Sequence, residues 1–225
     1  MTASFTSGSE RATAIAITLE DTLAAVSLLL NAESCSRVSG TAEYRSWGKE
    51  DLAGPPKRTN LVDFVVDHEL GTWSERDVKS RDRRRYSRET GQELVDDNGQ
   101  LIPPKPPSEF NHWPLLIKLM RPTRFAIWGR PGDDWRMTGA ESTQHGLLVH
   151  FDRSESSATA ELFIDAHFSL PTRWTQVNVV GPNRGAKREV EIIAIHVPDA
   201  WKRKMGMDMS VEGEDRSFVI GDYQW

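Results

Sequence analysis

The stretch that decides the fold is Leu147–Val180, LLVHFDRSESSATAELFIDAHFSLPTRWTQVNVV. Its outer parts and its centre alternate apolar and polar residues with a period of two, and polar or Pro-containing turns separate them. Leu162, Ile164 and Ala166 share one face; Glu161, Asp165 and His167 share the other. That is the pattern of half-buried strands joined by short turns. No helix-length segment intervenes, so neighbours pair antiparallel. Phe163 puts an apolar ring on the polar face, which predicts partial cover there.

Working outward, 134–141, 147–153, 159–167, 172–180 and 188–197 read as five strands. In the last, Val190, Ile192 and Ala194 alternate with Ile193, Ile195 and Val197, which predicts a strand covered on both sides. Further back, Val38, Gly40, Ala42 and Tyr44 share a face, and so do Val62, Phe64 and Val66. Segments 72–79, 84–88 and 93–97 continue a first meander over 37–101, and Asn98-Gly99 is a turn signal. Between the meanders lies Ile102-Pro103-Pro104-Lys105-Pro106-Pro107, which cannot be a central strand. A short apolar helix over 113–120 follows, ended by Pro122. Residues 102–122 have the form of a helical flap laid over a sheet. At the N-terminus, 1–11 reads as an arm. Thr18 and Asp21 then resemble a capping box opening a helix over 18–34. Leu19, Leu23, Val26 and Leu30 fall at i, i+4, i+7 and i+11, the stripe expected to face the sheet. The second meander spans 125–197, and 198–225 holds a short helix over 199–205 and a closing strand over 217–223. The fold expected is α+β, mostly antiparallel β, in one domain: a curled incomplete barrel covered by the N-terminal helix and the flap.

Composition narrows the function. The 225 residues are 38% apolar and 27% charged, with net charge −5. Such a balance fits a folded chain and argues against nucleic acid, which needs a basic face. One cysteine, Cys35, allows no internal disulfide and no cysteine zinc site. Glu20 and Asp21 precede the apolar run 22–30 where an export signal carries basic residues, so a cytoplasmic location is the default. An extracytoplasmic one follows if the N-terminus is truncated or carries an atypical signal. No run approaches the ~20 apolar residues of a membrane span.

Phosphate loops, nucleotide fingerprints and nucleophile elbows are missing, and no cofactor is implied. His150 with Asp152, and Asp165 with His167, are the histidine–carboxylate pairs. The register places them at opposite ends of one hairpin, with Asp165 near Arg173 across the next turn. The eight tryptophans are more informative. Each can bury on the order of 200 Å². They build either a core of large pieces or a concave aromatic face that holds an apolar ligand. The ligand-binding candidates are Trp47, Phe64, Trp73, Trp113, Leu116, Trp128, Trp135 and Trp174.

The segment 158–177, ATAELFIDAHFSLPTRWTQV, resembles a strand–turn–strand of the LolA, LppX and RseB lipoprotein-carrier group. Asp165, Leu170, Pro171 and Arg173 carry the likeness, together with the order helix, meander, flap, meander. The resemblance implies an incomplete barrel whose open side is covered by helices, holding acyl chains or docking lipoproteins. No lipid-anchoring cysteine stands at the expected place. The leading expectation is a non-catalytic protein that binds an apolar molecule or lipid between curled sheet and helices. The alternatives are a small barrel enzyme using His150, Asp152, Asp165 or His167 on a hydrophobic metabolite, and a regulatory module docking a protein partner.

Overall fold

A computed structural model describes residues 18–48, 54–102, 113–153, 158–179, 184–206 and 218–219. The first meander is β1 (Arg37–Trp47), β2 (Arg58–Asp67), β3 (Thr72–Asp77), β4 (Arg83–Ser87) and β5 (Gly91–Val95). The second is β6 (Trp135–Thr143), β7 (Gly146–Arg153), β8 (Ala158–Asp165), β9 (Leu170–Asn178) and β10 (Lys187–His196). Helices α1 (Leu19–Ala32), α2 (Leu115–Met120) and α3 (Asp199–Lys204), and a 3-10 turn at Pro122–Arg124, complete the frame. Strand order is β5-β4-β3-β2-β1-β10-β9-β8-β7-β6, with short β11 (Phe218–Val219) beside the end of β10.

This order explains the flap. The first meander runs outward from the centre to the edge strand β5, and the second starts at the opposite edge, β6. The chain between them must therefore cross one face of the sheet. The described part of that crossing includes α2, whose Leu116, Ile117, Leu119 and Met120 are at most 1% exposed. The Pro-rich run 103–112 lies outside the described residues. The sheet is open and curled, not a closed barrel. Antiparallel pairing of β1 with β10 is the seam that joins the two meanders.

At the seam Gly40 lies opposite Ile195, and a Cβ there would stand 2.0 Å from the Ala194 carbonyl oxygen. Only glycine permits that approach. A bulge at Ile193 breaks the same ladder, since Thr41 pairs Ala194 while Ala42 pairs Ile192. The bulge switches which alternate residues point inward. Val190 and Ile192 before it, and Ile195 and Val197 after it, all reach the core. The double apolar pattern of β10 thus comes from a face switch, where the alternation had predicted two-sided cover. Phe163 is covered as its position predicts, by the Arg173 guanidinium 5.4 Å from the ring centre.

Helix α1 corrects a second expectation. Thr18 caps it, its hydroxyl accepting from the Asp21 amide at 3.0 Å. It crosses the second meander, and Asp21 receives a hydrogen bond from Ser142 of β6. But the face it buries is Ala25, Leu29 and Ala32. Leu19, Leu23 and Leu30 are 76%, 60% and 54% exposed. That face lies one step round the helix from the leucine stripe, with Leu28 also packed against the core. Its end is tied down by Glu33, which accepts from the amide and hydroxyl of Thr123 in the 3-10 turn.

Candidate ligand pocket

The concave face differs between the two meanders. Over the second, Trp174 is the centre of an aromatic block, with Phe125, Trp135 and Phe151 at 4.7, 5.3 and 5.4 Å between ring centres. Such offset and edge contacts fill space with little residual void. Over the first, strand alternation places charge on the inner face. In β3, Trp73, Glu75 and Asp77 point inward, since they pair with Val66, Phe64 and Val62. Arg84 of β4 lies opposite Glu75, and Leu94 of β5 opposite Arg84. Tyr44 of β1 lies opposite Asn60 of β2. These side chains form a row across five strands, closed at one side by Pro114 and Leu115 where α2 begins.

The row lines an open cavity of about 410 Å³. Val62, Leu94, Pro114 and Leu115 supply its apolar wall, and Glu75, Asp77, Asp82 and Arg84 its charge. Glu75 is 8% exposed, and its Oε2 has no hydrogen-bond partner. Its other support is Tyr44. The Leu116 amide donates to the Tyr44 hydroxyl at 3.3 Å, so the phenolic proton is free to donate to the Glu75 carboxylate. Burial pushes the Glu75 carboxyl above its usual range, against the Tyr44 hydrogen bond and the Arg84 charge, which favour ionisation. Burial likewise drives the Tyr44 phenol well up. Asp77 is held low, mainly by the Ser80 amide. One acid pushed towards its neutral form and one held towards its ionised form therefore face the same space.

The sequence-derived candidates fall mostly elsewhere. Trp135 and Trp174 are in the aromatic block, and Phe64 and Leu116 are buried beside the pocket without lining it. Trp73, Tyr86 and Trp113 form a second cluster, with Trp73 stacked on Tyr86 at 6.1 Å and edge-on to Trp113 at 6.0 Å. Arg121 lies 5.2 Å over the Trp113 ring. Trp128 donates to the Pro122 carbonyl and Trp47 to that of Gly54, with the Lys187 ammonium 4.3 Å from the Trp47 ring. Among the described residues, no tryptophan lines the pocket. Sequence reasoning passed over Glu75, although the period of two in TWSERD puts it on the same face as Trp73.

The histidine–carboxylate pairs are not brought into one site. His150 pairs with Glu161 and Asp152 with Thr159, and both line a separate cleft of about 320 Å³. His150 lies 3.5 Å from Glu141 and 3.9 Å from Glu161. Asp165 sits at the other end of that hairpin, opposite Gly146. Its carboxylate accepts from the His167 and Phe168 amides at 2.8 and 3.0 Å, capping the β8–β9 turn. His68 is driven from its usual range. Burial, then the nearby Arg121 charge, lower it to about 4, so it is neutral at pH 7. Among the described residues, no group of three potential metal ligands occurs, and no helix is long and apolar enough to cross a membrane.

No family model matches this chain, and no curated protein does. Solved structures similar to it include an uncharacterized conserved protein from Thermus thermophilus, at 13% identity and TM-score 0.45, covering 77% of this chain and 85% of that one. MucB in complex with MucA(peri) is similar at 12% identity and TM-score 0.42, over 79% of this chain and 56% of that one. A DUF1329 family protein from Desulfovibrio piger ATCC 29098 is similar at 9% identity and TM-score 0.38, over 84% and 99%. MucB and the DUF1329 protein thus stand among the solved structures to which this chain is similar, each at low identity.

Proposed function

We propose that this chain is a non-catalytic binding protein, and that the cavity between the β1–β5 limb and the start of α2 takes an apolar-bodied small molecule such as a lipid. The observation that carries this reading is Glu75. A carboxyl removed from water with one oxygen unpartnered is costly, on the order of 1–3 kcal/mol, unless something fills its valence. It faces a cavity of about 410 Å³, within the range of small-molecule sites. Leu94 and Leu115 supply an apolar surface that needs cover. Native mass spectrometry of the purified chain, before and after addition of single-chain amphiphiles, is the test. One-to-one adducts are expected, and Leu94→Trp should remove them while circular dichroism stays unchanged. Unaltered adducts in that variant, or none in the parent, would sink the reading.

A second reading is favoured by the exposed leucines of α1. Leu19, Leu23, Val26 and Leu30 have the spacing of a two-stranded coiled-coil seam, which fits docking against the same helix of a second copy. Light scattering should then show a dimer that Leu23→Gln dissociates; a monomer at all concentrations rejects this reading.

A further inference from the structure

We propose that the ligand of this pocket carries a protonated amine, seated by Glu75 with Asp77 and Asp82, and lays its tail on Val62, Leu94 and Leu115. The inference rests on the binding reading above and adds the chemical class. Three carboxyl groups and one guanidinium line the cavity. The guanidinium of Arg84 belongs to an exposed residue, so water screens it; Glu75 is buried and unscreened. A carboxylate ligand reaching Arg84 would meet Glu75, Asp77 and Asp82 at the same time. A neutral alcohol could complete the valence of Glu75 Oε2 but would draw nothing from the charge of Asp77. An ammonium answers both. It is donor-only, with three hydrogens to place. It supplies the partner that Oε2 lacks, and it can reach the carboxylates while its tail stays on the apolar wall.

Seating also has a proton balance. In the empty pocket Glu75 is held towards its neutral form by burial. An arriving ammonium favours the carboxylate, so Glu75 loses its proton to solvent while the amine keeps its own three. The bound pair is Glu75 carboxylate and ammonium, and where Glu75 starts protonated one proton is released for each ligand bound.

The experiment is calorimetric titration of the full chain at pH 6 with octylamine, octanol and octanoate, each below its aggregation limit. Two buffers of different ionisation heat report the proton. Octylamine should bind about tenfold tighter than octanol, the worth of one charge-assisted hydrogen bond, and octanoate weakest. Any proton release should accompany octylamine alone. Glu75→Gln should erase the preference for octylamine over octanol, and with it any proton release. Asp82→Asn, at a half-buried rim position, should reduce the preference without touching the core. Octanol or octanoate binding as tightly as octylamine would overturn the amine assignment and leave the pocket standing. No binding of any of the three would overturn both.

Discussion

Glu75 carries the most information of any residue. Period-two alternation put a carboxyl on an inner face, and packing against Phe64 and Tyr44 removed it from water. Its folded-state pKa is raised, so the fold favours the protonated form. Its contribution to stability is therefore full below the unfolded value near 4.5 and is lost as pH rises through the folded value. Glu75→Gln keeps the shape and removes the ionisation. The variant should melt at the parent's temperature at pH 4 and several degrees above it at pH 8. Differential scanning calorimetry across that range checks the sign; a variant less stable at pH 8 would contradict it. Gly40 is the other decisive residue. Nothing in period-two patterning separates it from the small residues around it, yet the carbonyl of Ala194 occupies the place of its side chain.

At the scale of elements, α1 shows where pattern reading and packing part. Its length and cap were legible, because Thr18 and Asp21 act through neighbours in sequence. Its buried face was not. Apolar size points to the leucine stripe; the sheet instead accepted Ala25, Leu29 and Ala32. The two faces predict opposite outcomes. Leu29→Ala should cost about 2–5 kcal/mol as a core truncation. Leu30→Gln, one residue on, should stay within about 0.5 kcal/mol. Urea denaturation of the pair decides which stripe is inside. Strand β10 makes the same point in another form. Its apolar residues were correctly placed on a strand, but a bulge at Ile193 assigns them to one core, and a bulge is created by pairing, not by the strand's own sequence.

The whole molecule depends on one seam. Ten strands in meander order place the chain's two halves on opposite sides of the β1–β10 ladder, and the crossing that contains α2 spans the face between the outer edges. Gly40→Ala forces that ladder open against backbone, not against a flexible side chain. A loss above about 3 kcal/mol is expected, beyond ordinary overpacking, because both meanders share the seam. Thermal unfolding followed by tryptophan fluorescence should show the drop in full. An unchanged midpoint would mean that the seam carries little of the stability.

The sequence by itself determined the strands, their antiparallel succession, the cap of α1 and the presence of a crossing segment. Each is written in local periodicity or turn chemistry, which act over a few residues. The apolar–polar alternation also contained the pocket's residues, though scattered from Tyr44 to Leu115. Tertiary structure alone decided that these five strands bring them into one row, that the described tryptophans lie outside it, and that Glu75 is buried in that row. Those outcomes depend on register and burial between residues far apart in the chain. The charge of a carboxyl is legible in a sequence; the cost of burying it is a property of what the fold places around it.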